Sequence, residues 1–101
     1  MNITINEKEI KLKKTFRSVI AYEQAMKKPF NPTTISETIM YFYCVVIASD
    51  TSIELTYDDF INWLDEHETA IKEFTEWLVT ISQIESTTAK KKTVRKKATK
   101  Q

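Results

Sequence analysis

Glycine is absent from this chain of 101 residues. Loops that cradle nucleotide phosphates need residues without a Cβ where backbone meets phosphate, so Walker-type and dinucleotide-type sites are excluded. Helix ends must close without the residue that most readily takes a left-handed cap. Cysteine occurs once, at Cys44 in an apolar run, so no disulfide can form within the chain. Histidine also occurs once, at His67, within the charged junction Asp65-Glu66-His67-Glu68. A lone imidazole there lacks the converging ligands and dry surroundings of a metal site. The longest apolar run, residues 39–48, is about half of what a membrane-crossing helix needs. The N-terminus alternates polar and apolar residues and has no apolar signal segment. The expectation is a soluble, cytoplasmic protein without membrane contact.

Charge is plentiful but unevenly placed. Lys90, Lys91, Lys92, Arg95, Lys96, Lys97 and Lys100 are 7 of the 15 basic residues, and no acidic residue lies among them. The rest of the chain carries 8 basic against 14 acidic groups, a net charge near −6. The basic end has one apolar side chain larger than alanine, Val94, too little buried surface to offset the entropy of ordering. Residues 1–88 therefore read as one small domain and residues 89–101 as a disordered basic tail. Five Phe, four Tyr and two Trp supply the dense core that a domain of this size needs.

The pattern predicts a mainly α fold of about four helices behind an N-terminal β-hairpin. Ile3 with Ile5, and Ile10 with Leu12, alternate around a polar link led by Asn6. Thr15 is placed to cap a first helix, with Phe16, Val19, Ile20 and Met26 as its buried stripe. Pro29 and Pro32 end that helix. Thr33 or Thr34 opens a second helix, with Glu37 three residues after Thr34 in capping-box position. That helix is apolar on almost every side and so is expected at the centre. Thr56 caps a third helix, with Tyr57, Phe60, Ile61 and Leu64 buried. A fourth carries Ile71, Phe74, Leu78 and Ile81.

Residues able to carry chemistry are few. Cys44 has no neighbouring base to activate it and reads as a small buried hydrophobe. Asp58-Asp59 sits in the first turn of a helix, where acidic residues favour the dipole, rather than as an acid–base pair. No nucleophile stands with a base, and no cofactor or metal constellation is visible, so an enzyme is not expected. Glu23 falls on or beside the first helix's stripe. Either it finds partners at Tyr41, Tyr43 or the free N–H groups of helix two, or it reaches water. Trp63 and Trp77 lie next to the stripes of their helices. They complete the core or flank a partner-binding groove between helices three and four.

The segment "TFRSVIAYEQAMKKPF", residues 15–30, resembles a stretch found in the short tail assembly chaperones of long-tailed bacteriophages and prophages. The likeness lies in Phe16, Arg17, the pair Tyr22-Glu23 and the exit Lys28-Pro29-Phe30. It continues in "LTYDDFINWLDE", residues 55–66, and covers most of residues 1–66. The family's usual glycine before the Lys-Pro exit is replaced here by Met26-Lys27. The resemblance implies a non-enzymatic chaperone that coats the long, helical, aggregation-prone tape-measure protein while tail-tube subunits polymerise around it. It also implies a longer form made by ribosomal frameshifting, whose extension recruits tube subunits. Trp63 and Trp77 are the expected partner-binding residues, with self-association between acidic body and basic tail a further expectation. The competing reading is a small nucleic-acid-associated protein using the basic arm. The tail has no aromatic residue for base stacking, and an acidic body repels phosphate, so specific nucleic-acid binding is not expected.

Overall fold

The computed structural model describes residues 1–81, and the expected basic tail over 89–101 lies outside them. The fold is mainly helical behind a two-stranded antiparallel hairpin. The hairpin pairs β1 (Asn2–Ile5) with β2 (Lys8–Lys11). Three helices follow, α1 (Phe16–Met26), α2 (Ile35–Ser49) and α3 (Tyr57–Glu66). Residues 70–81 form a further helical stretch, α4. The chain divides into two units, Met1–Ile71 and a second beginning at Lys72. The expected boundary at residue 88 lies outside the described residues.

Register in the hairpin is fixed by the turn. Ile5 faces Lys8 across a two-residue loop, Asn6-Glu7, and both loop residues have positive φ, 54° and 61°. That is the geometry of a type I′ turn, whose twist matches the flanking strands. Ile3, Ile5, Ile10 and Leu12 are all buried on one face. Asn6 tolerates the left-handed region, whereas the Cβ of Glu7 is strained there by about 1–2 kcal/mol. Glu7→Gly creates the preferred Asn-Gly pair. After the entropy of the extra glycine is deducted, the variant should be more stable by roughly 0.5–1 kcal/mol. Urea unfolding checks this, and a lower midpoint would contradict the turn assignment.

Three threonines start the helices. Thr15, Thr34 and Thr56 each accept a hydrogen bond from the backbone N–H three residues on, at Ser18, Glu37 and Asp59. α1 does not reach its prolines. Lys27 takes the left-handed conformation at φ 57° and donates its N–H to Glu23 O at 2.8 Å, closing the helix there.

The expected stripe of α1 is a correction. Ser18 and Tyr22 are its fully buried positions, Val19 and Met26 are half-buried, and Phe16 and Ile20 face out. The helix is rotated from the phase that its largest apolar residues suggest. Ser18 tolerates burial because its hydroxyl donates to Thr15 O at 2.6 Å, so no polar atom is stranded. Tyr22 meets Phe30 and Tyr41 edge-on, with ring centroids 5.2 and 6.1 Å apart. Glu23 is exposed, and its carboxylate accepts the Phe30 N–H at 2.8 Å.

α2 is the central element. Tyr41, Phe42, Cys44, Val45 and Val46 are buried, and it packs against α1 and the hairpin while Phe42 meets Phe60 of α3 at 5.0 Å. Burial pushes the Cys44 thiol up to about 11, so it stays protonated and inert. Tyr43 donates to Leu55 O at 2.6 Å and holds the α2–α3 connection.

Two carboxylates tie the ends of α2 to neighbouring segments. Glu37 pairs with Lys28 and accepts the N–H groups of Thr33 and Thr34 at 2.8 and 3.1 Å. The Lys28 ammonium first, then those N–H groups, pull its carboxyl from 4.5 to about 2. At the other end Asp50 pairs with Lys8 at 2.5 Å and accepts the hydroxyl and N–H of Ser52 at 2.6 and 3.1 Å. Lys8 first, then Ser52, lower its carboxyl from 3.8 to about 2. On acidification the unfolded chain takes up these protons first. The stabilisation is complete above pH 4.5 and lost as pH falls towards 2. Glu37→Gln and Asp50→Asn should each flatten thermal stability measured across that window. Added salt should weaken the effect, because both pairs lie near the surface.

Candidate partner-binding surface

In the first unit the exposed large apolar side chains are Phe16 and Ile20 on α1 and Ile35 at the start of α2, and the two on α1 share one helix. Phe16 is 88 % exposed and Ile20 53 %. They are four residues apart, so they stand one above the other on a single helix face. Arg17 and Gln24 flank them. Beside this face lies a groove of about 400 Å³ between α1 and the end of α2. Ile20 and Ala21 line it from α1, and Ile47 and Ala48 from α2, with Arg17 at its edge. The two alanines explain the hollow, because small side chains meet where larger ones would fill the space between the helices.

Charge is divided within this unit. Residues 1–30 hold seven basic and three acidic side chains, while residues 31–71 hold eight acidic and no basic ones. The groove borders the basic part. Lys13 donates its backbone N–H to Ser49 Oγ at 2.9 Å, beside Ala48, and Lys13, Lys14 and Arg17 are exposed. On α3, by contrast, Asp58, Asp59, Asp65 and Glu66 are exposed.

The tryptophans sit in different units. Trp63 is half-buried and donates its indole N–H to Thr4 O of β1 at 2.9 Å. Its ring lies parallel to Phe60 at 5.9 Å and to His67 at 4.3 Å. This gives Trp63 a structural job joining α3 to the hairpin, besides any contact with a partner. His67 donates from Nδ1 to Trp63 O at 2.7 Å, which sets its tautomer. In the second unit Trp77 is half-buried and tilts against Phe74 at 5.8 Å, with Val79 52 % exposed nearby in sequence. The expected basic residues Lys90, Lys91, Lys92, Arg95, Lys96, Lys97 and Lys100 lie outside the described residues.

Among the described residues no group of three His, Cys, Asp or Glu side chains could hold a metal ion, and no helix is long and apolar enough to cross a membrane. Sequence reasoning missed the α1 surface because it assigned Phe16 and Ile20 to the core. The signal that could have found it is Ser18 with Tyr22. A threonine cap followed by a serine three residues on places that serine against the cap, turning Phe16 outwards.

Compared with family models, with curated proteins and with solved structures, the chain matches none.

Proposed function

We propose that this protein is a phage or prophage tail assembly chaperone that binds the tape-measure protein during tail-tube assembly in the host cytoplasm, without catalysis. The observation that supports it most is the coincidence of two features in one segment. Residues 15–30 carry the family resemblance, and the helix they form turns Phe16 and Ile20 outwards, with Ile20 lining a groove. A chaperone for a long helical partner needs such a surface, since it must cover apolar ridges that would otherwise associate with each other. One small surface gives modest affinity. Many copies along one partner gain avidity without tight binding at each site. Tail-tube subunits and other copies of the chain are secondary partners in this reading, and Trp63 and Trp77 remain proposed contact residues. The acidic character of residues 31–71 disfavours specific nucleic-acid binding.

Co-expression with a tape-measure protein from the same genome tests the reading. The partner should move into the soluble fraction when this protein is in excess. A partner that stays insoluble beside abundant, folded chaperone overturns the assignment.

A further inference from the structure

We propose that the groove between α1 and the end of α2 is a docking site for an amphipathic helix whose apolar ridge is bordered by acidic residues. The inference rests on the preceding reading only in taking the partner to be helical. Phe16 and Ile20 form a short ridge along one helix face, and the hollow next to it is floored by Ala21 and Ala48. A ridge beside a groove is the shape that receives a second helix, with side chains at three- and four-residue spacing entering the hollow. A volume of about 400 Å³ accommodates two or three aliphatic side chains of such a ridge.

Charge decides the occupant. Arg17 lines the groove, and Lys13 leads into α1 beside it, its backbone N–H on Ser49 Oγ next to Ala48. The carboxylates nearest the site in sequence are already engaged. Glu23 accepts the Phe30 N–H, and Asp50 is paired with Lys8. Glu23 keeps its charge while accepting a neutral N–H, so Arg17 and Lys13 stand against Glu23 at the border, a net basic balance that attracts acidic residues on an incoming helix. A second copy's α1 does not fit, because an antiparallel pair of these helices sets Lys13 and Arg17 against Lys27. The acidic α3 of a second copy does not fit either, since Phe60 is buried and Trp63 is held against the hairpin. The chain's own segment from Lys90 to Lys100 has the same sign as the border. α4 of a second copy turns Ala70 and Phe74 inwards and offers Val79 alone as an exposed large apolar side chain among its described residues, so a helix of another protein, acidic at its margins, is the remaining occupant.

Two synthetic peptides of about 18 residues test this, long enough for five helical turns. Both carry Leu at i, i+3, i+4 and i+7 repeats. One is flanked by Glu, the other by Lys. Each is titrated into the full chain with backbone amide shifts as the readout. The Glu peptide should bind saturably in the micromolar range, as small interfaces do, and shift amides around Arg17, Ala21 and Ala48. Phe16→Ser and Ile20→Ser together should weaken it at least ten-fold, and these exposed positions should leave the thermal midpoint nearly unchanged. Arg17→Glu should reduce the preference for the Glu peptide over the Lys peptide. Absence of saturable binding, equal binding of both peptides, or binding unaffected by the double variant overturns the proposal. Failure here with successful solubilisation of the tape-measure protein leaves the chaperone function standing and removes only this site. Successful peptide binding without solubilisation does the reverse.

Discussion

Phe42→Ala should destabilise the protein by about 3–5 kcal/mol, the range for emptying an aromatic site in a packed core. Phe42 is fully buried on the central helix. Its ring meets Phe60 edge-on at 5.0 Å and Trp63 at 6.3 Å. The same substitution therefore removes part of the ring contact between α2 and α3, leaving Tyr43 against Tyr57 and Phe60, and opens a cavity that rigid neighbouring rings cannot fill. A domain of this size has a net stability of only about 5–15 kcal/mol, so the variant should be partly unfolded near its working temperature. Val46→Ala on the same helix should cost less, because a smaller side chain is shortened. Chemical denaturation of both variants checks the order. Parent-like unfolding of Phe42→Ala would mean that α2 is not the centre of the core.

Trp63→Ala is the second large effect, with an expected loss of about 3 kcal/mol, the lower end for tryptophan because the ring is only half-buried. Two contributions are lost together. The indole face stacks between Phe60 and His67, and the indole N–H satisfies Thr4 O of β1. Trp63→Phe separates them. It retains most of the ring packing but leaves the exposed carbonyl to water, and should cost about 0.5–1.5 kcal/mol. Equal losses for the two variants would assign the whole effect to the hydrogen bond. This also bears on function. Weaker solubilisation of the proposed partner by Trp63→Ala would mix lost folding with lost contact, so Trp77→Ala and the α1 double variant are the cleaner probes of the proposed binding.

What could be read from the sequence was local. The hairpin followed from alternation on each side of the polar link Asn6-Glu7-Lys8, whose Lys8 belongs to β2, and the helix starts from Thr15, from Thr33 or Thr34, and from Thr56. Each is a signal carried by three or four adjacent residues and obeyed by the backbone nearby. The apolar body of α2 announced its central place because no face of it could remain in water. What was not legible depended on contacts distant in sequence or on the phase of one helix. The hydrogen bond from Trp63 to Thr4 spans 59 positions. Nothing near either residue signals it. The outward turn of Phe16 and Ile20 was hidden because apolar periodicity fixes the existence of a helix more firmly than its rotation when the core face holds a serine. Left-handed Glu7 and Lys27 were hidden for a related reason, since the residue that normally marks such positions is absent from the chain. Glu23 was left open between burial and solvent. It resolved as an exposed carboxylate holding the Phe30 N–H, a role visible only once the loop after α1 is folded back.

The central claim is that many copies of this chain cover one long helical partner, and the mass of the isolated complex tests it most directly. The protein and a tape-measure protein from the same genome are co-expressed, purified through a tag on the partner, and sedimented to equilibrium. The account predicts a soluble complex with several copies per partner chain, stripped to few or none when Phe16→Ser and Ile20→Ser are introduced. A complex of one copy per chain, or a partner recovered without this protein, would contradict it.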